Sequence, residues 1–266
     1  MSEQSVNKEM SFLDHLEELR KHIIRSVLVV MVFSIIAFIY MDVIFHDILM
    51  APSRPDFPTF RVLCTYFNYC VGVMDFKLIS RTMTGQFTMH ILASLIAGIV
   101  IAFPFIIWEL WKFISPALHP QERKHTKGVV FGISALFFVG VLFGYYIISP
   151  LAINFLANYK LDASIENSFD VTSYISTLCM MAIGGGVIFQ LPVVVYFLSV
   201  MGLMTPAFMR TYRRHAIVVI FVLAAILTPS PDVLSQLLMG VPMLLLYELS
   251  IFVSAAVYKR KLKEAE

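Results

Sequence analysis

Charged residues are scarce in this 266-residue chain, in which they make up 14% of the sequence, against about 25% in an ordinary soluble domain. Apolar residues make up 59%, above the usual value of about 45–50%, and the mean hydropathy is +0.80. Both departures argue against a soluble enzyme and against a disordered chain. The formal net charge of +2 produces no strongly basic field, so no nucleic-acid partner is expected.

Residues that build common catalytic and metal sites are also few. The chain has 3 cysteines, 7 histidines and 2 tryptophans, which is too little cysteine for a disulfide scaffold. The pairs His15 with His22 and His119 with His125 lack the further ligands that a zinc site needs. No glycine-rich phosphate loop, Ser–His–Asp arrangement or zinc-protease motif occurs. The sequence therefore predicts no enzyme, no cofactor and no bound metal.

Long apolar runs are abundant, and they predict an all-α integral membrane protein that forms one polytopic domain over residues 1–266. A bilayer core of about 30 Å requires about 20 mostly apolar residues in each helix. Six transmembrane helices are predicted, over residues 23–40, 87–108, 128–148, 174–201, 216–227 and 233–253. A long first outer loop joins the first two.

The last two predicted helices are short, and the fifth rises only about 18 Å. One interpretation is a re-entrant fifth helix. The other, which we favour, is a hairpin that crosses completely where the bilayer thins to meet it. Charged residues flank this pair only near Arg210–Arg214 and Lys259–Lys263, which supports the complete crossing.

The distribution of lysine and arginine predicts the orientation of the chain. If the N-terminus is cytoplasmic, 15 of the 20 basic residues fall in inner segments and 5 in outer ones. Cytoplasmic connections are enriched in lysine and arginine. We therefore expect a multi-pass protein with both termini in the cytoplasm.

The segment Ser11–His22 is the first polar stretch of interest. Its apolar residues recur at helical spacing, and Glu17 precedes Lys21 by one turn, as in a solvated helical ion pair. One interpretation is an amphipathic helix that anchors the first span at the interface. The other is that a carboxylate in this segment remains free to bind a cationic ligand.

Two further stretches carry polar groups near or inside the predicted membrane region. The connection Trp108–Lys124 combines aromatic residues with Glu122, which is either an interfacial aromatic belt with a solvated acid or part of a binding site. Gln190 lies within the fourth predicted span. A polar side chain there is either functional or bonded to another helix.

Four motifs, in order along nearly the whole chain, resemble the TatC family, the large subunit of the twin-arginine protein translocase. They are FLDHLEELR at 12–20, WKFISPALHPQER at 111–123, FQLP at 189–192 and TPSPDVLSQ at 228–236. The resemblance implies a receptor for signal peptides that carry paired arginines. It also implies small single-span partner subunits of the TatA and TatB type, export of folded proteins across the bacterial inner membrane, and the proton motive force as energy source.

The resemblance also assigns a signal-peptide site, residue by residue. Glu18 and Glu122 match the two inner acidic residues that the family uses for the arginine pair, and Arg20 and Phe113 match neighbours in the same motifs. A carboxylate can hold the planar guanidinium group with two hydrogen bonds, whereas a lysine ammonium is a point charge. This chemistry favours Arg-Arg over Lys-Lys.

Other matched positions are assigned to translocation or partner contact: Pro52 in the first outer loop, Asp232 in the short outer turn, and Gln190. Many family members have glutamate where this chain has Gln190, so the resemblance implies no ionisable role there. Cys64 and Cys70 do not fit the family pattern. They are either bridged, since the outer side permits disulfides, or two apolar thiols at the interface.

Two other classes of membrane protein compete with this assignment. A secondary transporter or channel for a small solute would account for Gln190 and the glycines at 184–186, but it predicts internal repeats, and none is visible. A purely structural scaffold would not need Asp232 in the outer turn.

Overall fold

The computed structural model describes residues 12–68, 70, 77–114, 126–162, 167–228 and 233–265, and most of these are helical. The α-helices are α1 (Phe12–Ile39), α2 (Pro58–Phe67), α3 (Gly85–Ile114), α4 (Thr126–Phe143), α5 (Ser149–Asn158), α6 (Val171–Ile188), α7 (Leu191–Val200), α8 (Pro206–Thr211), α9 (Arg213–Leu227) and α10 (Val233–Ala265). Shorter pieces are a helical turn at Met41–Val43, π-helical segments at Ile44–Leu49 and Gly144–Ile148, and a 3₁₀ turn at Ala51–Ser53. Two short strands are β1 (Lys77–Ile79) and β2 (Ser168–Asp170).

Five helical segments are long and apolar enough to span a membrane, within the residues that the structure describes. They are Leu16–Ile39, Gly85–Ile114, Gly128–Asn158, Val171–Val200 and Ser235–Lys261. These overlap the first four predicted spans and the sixth, so the chain is a multi-pass membrane protein. The remaining helix, α9, has 15 residues and rises only about 22 Å. A complete crossing by α9, the fifth predicted span, therefore stays a prediction, and so does the total of six spans.

The prediction that the last helix is short is wrong. Helix α10 has 33 residues and passes through Pro242 without ending. It also continues through the basic residues Lys259–Lys263, because lysine, leucine, glutamate and alanine all favour helix. The hydropathy pattern marked only the apolar part of a longer helix. In the same way, α1 begins at Phe12 rather than at Ile23, because the amphipathic segment and the first span form one continuous helix.

The two loops predicted to lie outside are joined to each other. Strands β1 and β2 pair in parallel, with Lys77 opposite Ser168 and Ile79 opposite Asp170. The Asp170 carboxylate accepts hydrogen bonds from the backbone N–H and the hydroxyl of Thr172, at 2.8 and 2.7 Å. These bonds cap the start of α6 and hold the pKa of the Asp170 carboxyl below its ordinary value. The pairing places both loops on one side of the helices.

The first outer loop packs on the helices through a buried apolar cluster. Phe57 and Phe60 of the loop lie with Met89 of α3 and Tyr174 of α6 in this cluster. The Tyr174 hydroxyl donates to the carbonyl of Leu49 at 2.8 Å. The loop is therefore held as a cap on one end of the bundle.

Cys64 and Cys70 form a disulfide in the structure, at the end of α2. The closed loop is short, so loop-closure entropy assigns it only about 2–3 kcal/mol of stabilisation. We expect intact mass measurement after alkylation without reductant to show neither cysteine modified, and both modified after reduction. The buried Cys179 is the internal control, since its alkylation requires unfolding but no reductant. Modification of Cys64 and Cys70 in the unreduced protein would contradict the bridge.

Candidate functional site

The acidic motif of α1 contains one carboxylate, that of Glu18, for which the described residues provide no ion-pair partner. Glu18 is half-buried near the start of the helix, and no residue in the described part of the chain forms a salt bridge with it. Its neighbour Glu17 is instead bonded to Lys21, with 2.9 Å between the carboxylate oxygen and Nζ. Of the two adjacent glutamates, Glu18 is therefore the one that can accept a cationic ligand.

A buried acid on α3 binds three basic residues beside this motif. The Glu109 carboxylate accepts a hydrogen bond from His22 Nδ1 at 2.7 Å and from Lys112 Nζ at 2.9 Å, and the Arg25 guanidinium lies 3.6 Å away. The Glu109 side chain is only 3% exposed. An ionised carboxylate at this depth is stable only with such partners, so this cluster joins α1 to α3.

The sequence patterns assign no role to Glu109, although it lies inside the connection Trp108–Lys124. It is surrounded by apolar and aromatic residues from Phe105 to Ile114. An acid in such a run is costly without a partner, and this was a signal that could have found it. Lys112, three residues later on the same helix, is a partner that spacing can suggest, but His22 is not, because it lies 87 residues away.

The two neighbours implied by the resemblance lie in different surroundings. Phe113 is half-buried, and its ring centroid is 6.3 Å from that of His22. It therefore belongs to the α1–α3 contact at His22, one helical turn after Glu18. Arg20 is exposed. Glu122, the second predicted ligand, lies outside the described residues, as does Asp232.

Gln190 lies where the fourth span is interrupted. Helix α6 ends at Ile188 and α7 begins at Leu191, where Pro192 removes a backbone donor. The Gln190 amide is half-buried and donates to the carbonyl of Ile133 in α4 at 3.3 Å. The structure thus shows it bonded within this chain. A second amide that sequence analysis gave no role, Gln236, donates to the carbonyl of Phe221 at 3.0 Å.

Pro52 lies in the 3₁₀ turn Ala51–Ser53 and is fully buried. The turn is part of the first outer loop and follows Leu49, which belongs to the buried apolar cluster. In this position Pro52 shapes the cap on the bundle rather than an exposed surface. A role in partner contact stays a prediction.

A carboxylate such as that of Glu18 can accept two parallel hydrogen bonds from a guanidinium group. Glu18 is half-buried, and partial exclusion of water strengthens a charge-assisted hydrogen bond. The arrangement provides no nucleophile or general base aimed at a reacting group among these residues. Binding of a cationic segment is the chemistry that it supports.

Comparison with known proteins gives consistent results for the whole chain. The family described as Sec-independent protein translocase protein (TatC) matches residues 14–242. A protein of that name from Blattabacterium is 35% identical over 261 residues, covering 95% of this chain and 98% of the relative. Another from Carboxydothermus hydrogenoformans is 37% identical over 248 residues, covering 93% and 94%.

A solved structure agrees with these relatives. A crystal structure described as a twin arginine translocase receptor, TatC, is 34% identical and superposes with a TM-score of 0.73. The match covers 92% of this chain and 99% of that one. The resemblance stated from the four motifs is therefore confirmed.

Proposed function

This chain belongs to the TatC family of Sec-independent protein translocase proteins, and from that premise we propose that it is the receptor for twin-arginine signal peptides in a translocase for folded proteins. The family is a translocase component rather than an enzyme family. The observation that carries the proposal is the Glu18 carboxylate, which has no ion-pair partner in the described part of the chain. Glu18 lies one helical turn before His22, whose ring contacts Phe113 of α3.

We assign Glu18 and Glu122 to the two arginines of the signal peptide, with Phe113 and Arg20 beside them. Support for Glu18 comes from the lack of an ion-pair partner among the described residues, and support for Phe113 from its contact with the His22 ring. Glu122 is assigned from the motif alone. Pro52, Gln190 and Asp232 are assigned to translocation or to contact with single-span subunits of the TatA and TatB type, also from the motifs.

The proposed location is the bacterial inner membrane, with both termini in the cytoplasm and the proton motive force as energy source. Contacts between segments support this layout. The start of α1 meets the end of α3 through His22 and Glu109, and Lys261 near the end of α10 donates to the carbonyl of Val200. Both contacts join segments that are predicted to be cytoplasmic.

The competing proposal of a small-solute transporter or channel finds no support in the comparisons, since the relatives quoted above are named as translocase proteins. Gln190, which had favoured such a channel, is bonded to a backbone carbonyl of α4. The amide nitrogen therefore has a partner within the chain.

The proposed function predicts selective peptide binding. The purified full chain in detergent is expected to bind a fluorescent signal peptide with an Arg-Arg pair, and to bind the matched Lys-Lys peptide about 10-fold or more weakly, because only guanidinium bonds carboxylates bidentately. Fluorescence anisotropy measures both dissociation constants. Equal affinity for the two peptides would contradict receptor function based on paired arginines.

The orientation is tested by labelling single cysteines with a membrane-impermeant reagent. Cysteine at Asp56 or Asp162, both exposed, is expected to react in intact cells. Cysteine at Arg210 or Lys259, also exposed, is expected to react only after lysis, because the basic segments face the cytoplasm. The unsubstituted chain serves as background control. Reaction at Arg210 in intact cells would overturn the layout.

A further inference from the structure

Glu18 has three basic residues on its own face of α1. Lys21, His22 and Arg25 follow it by three, four and seven residues, and residues at these spacings lie above one another on a helix. An acid that precedes a base by three or four residues forms a favourable ion pair. In an isolated helix, Lys21 and His22 would therefore lie within pairing distance of Glu18 and compete with a ligand for it.

Other carboxylates hold these bases in the folded chain. Glu17 binds Lys21 at 2.9 Å. Glu109 binds His22 at 2.7 Å and lies 3.6 Å from Arg25. Each of the three bases thus has an acidic partner other than Glu18.

The two acids hold their bases with different strength. Glu109 is 3% exposed and His22 12% exposed, so their charge-assisted hydrogen bond is little weakened by water. Glu17 and Lys21 are both more than half exposed, and such a surface pair is weak. Glu109 therefore binds His22 more strongly than Glu17 binds Lys21.

We propose that Glu109, assisted by Glu17, is a positioning residue that keeps the Glu18 carboxylate unpaired for the signal-peptide arginine, by binding the bases that would otherwise neutralise it. This inference rests on the proposed function and extends it to an acid that does not itself touch the peptide. It explains why a buried acid contacts the basic face of α1 at the same helix end as the free carboxylate. The Lys112 ion pair completes the neutralisation of Glu109.

The first experiment compares peptide affinities of full-length variants in detergent by fluorescence anisotropy. Glu109→Gln removes the charge that holds His22 and Arg25, and we expect the dissociation constant for the Arg-Arg peptide to rise about 1.5- to 2.5-fold, because His22 lies one turn from Glu18 and can then compete for it. Glu17→Gln releases only Lys21 and is expected to raise it by about 1.5- to twofold. Asp56→Asn, on the opposite side of the molecule by prediction, is the control for loss of one acid.

The second experiment distinguishes competition from a loss of structure. Replacing the released bases in the same chain, as in Glu109→Gln/His22→Gln/Arg25→Gln and Glu17→Gln/Lys21→Gln, is expected to restore the affinity of the unsubstituted chain. In a Glu18→Gln background, Glu109→Gln is expected to cause no further loss, because there is no carboxylate left to neutralise. A purely structural role would predict neither rescue nor dependence on Glu18.

Several outcomes would overturn the inference. Unchanged affinity in both Glu109→Gln and Glu17→Gln would do so, as would failure of both rescues, or an equal loss with and without Glu18. If Glu18→Gln itself leaves the affinity unchanged, the assignment of Glu18 under the proposed function fails, and this inference fails with it. A normal loss with Glu18→Gln but none with Glu109→Gln or Glu17→Gln overturns this inference alone. If size-exclusion chromatography shows that Glu109→Gln does not fold, the peptide affinities of Glu17→Gln and Glu17→Gln/Lys21→Gln test the inference instead.

Discussion

Replacing Glu18 by glutamine is expected to weaken binding of an Arg-Arg signal peptide by about 10- to 100-fold. The amide keeps the shape of the side chain but loses the charge. A hydrogen bond to a charged group contributes about 1.5–3 kcal/mol where it is partly desolvated, and this range corresponds to the expected loss of affinity. Glu18 is half-buried, so water screens the pair only in part. Fluorescence anisotropy with the purified variant measures the change.

Glu122→Gln is expected to give a loss of the same order, since the resemblance assigns the second arginine to it. Asp56→Asn is the matched control, because Asp56 is an exposed acid in the first outer loop and should leave the affinity unchanged. Export of a twin-arginine reporter in cells should fall in parallel with affinity. Unchanged binding in both glutamine variants would contradict the assignment of Glu18 and Glu122 to the two arginines of the signal peptide.

Introducing a side chain at Gly140 is expected to destabilise the protein strongly. A Cβ atom there would lie 2.5 Å from the carbonyl oxygen of Gly185, and real Cβ atoms essentially never approach within 3.0 Å. The obstacle is backbone, which cannot rotate away as a side chain can. Close approach of membrane helices through small residues is a common packing mode, and here it joins α4 to α6.

For Gly140→Ala we expect a loss of about 3 kcal/mol of stability, at the upper end of typical overpacking costs. Gly140→Leu should abolish the folded protein. The melting temperature in detergent, followed by size-exclusion chromatography, measures both. Gly132→Ala in the same helix is the matched control, since nothing lies within 4 Å of its Cβ position. It should be neutral or stabilising by about 0.5–1 kcal/mol, because alanine favours helix over glycine. Equal melting temperatures for the two alanine variants would contradict the close contact.

Hydropathy and motif spacing predict much of the helical architecture and the family. The apolar runs placed five of the long helices, because a span is defined by its own consecutive residues and needs no partner to be recognised. The four motifs identify the family without any knowledge of the fold. The same local patterns misjudged helix ends: α1 and α10 extend into charged segments, since helix propensity does not end where hydropathy falls.

Pairing between distant residues was decided only by the tertiary structure. The sequence could not show that Glu109 binds His22 across 87 residues, that Gln190 bonds Ile133 across 57, or that Gly140 meets Gly185. Each of these contacts depends on which helices are neighbours and on how each helix is rotated about its axis. Hydropathy gives information on neither. For the candidate site, the sequence alone determined that an acid stands at position 18. Only the packing of α3 on α1 decided that the bases around it are bound elsewhere, because a carboxylate is free or neutralised according to the charges that the fold brings within reach of it.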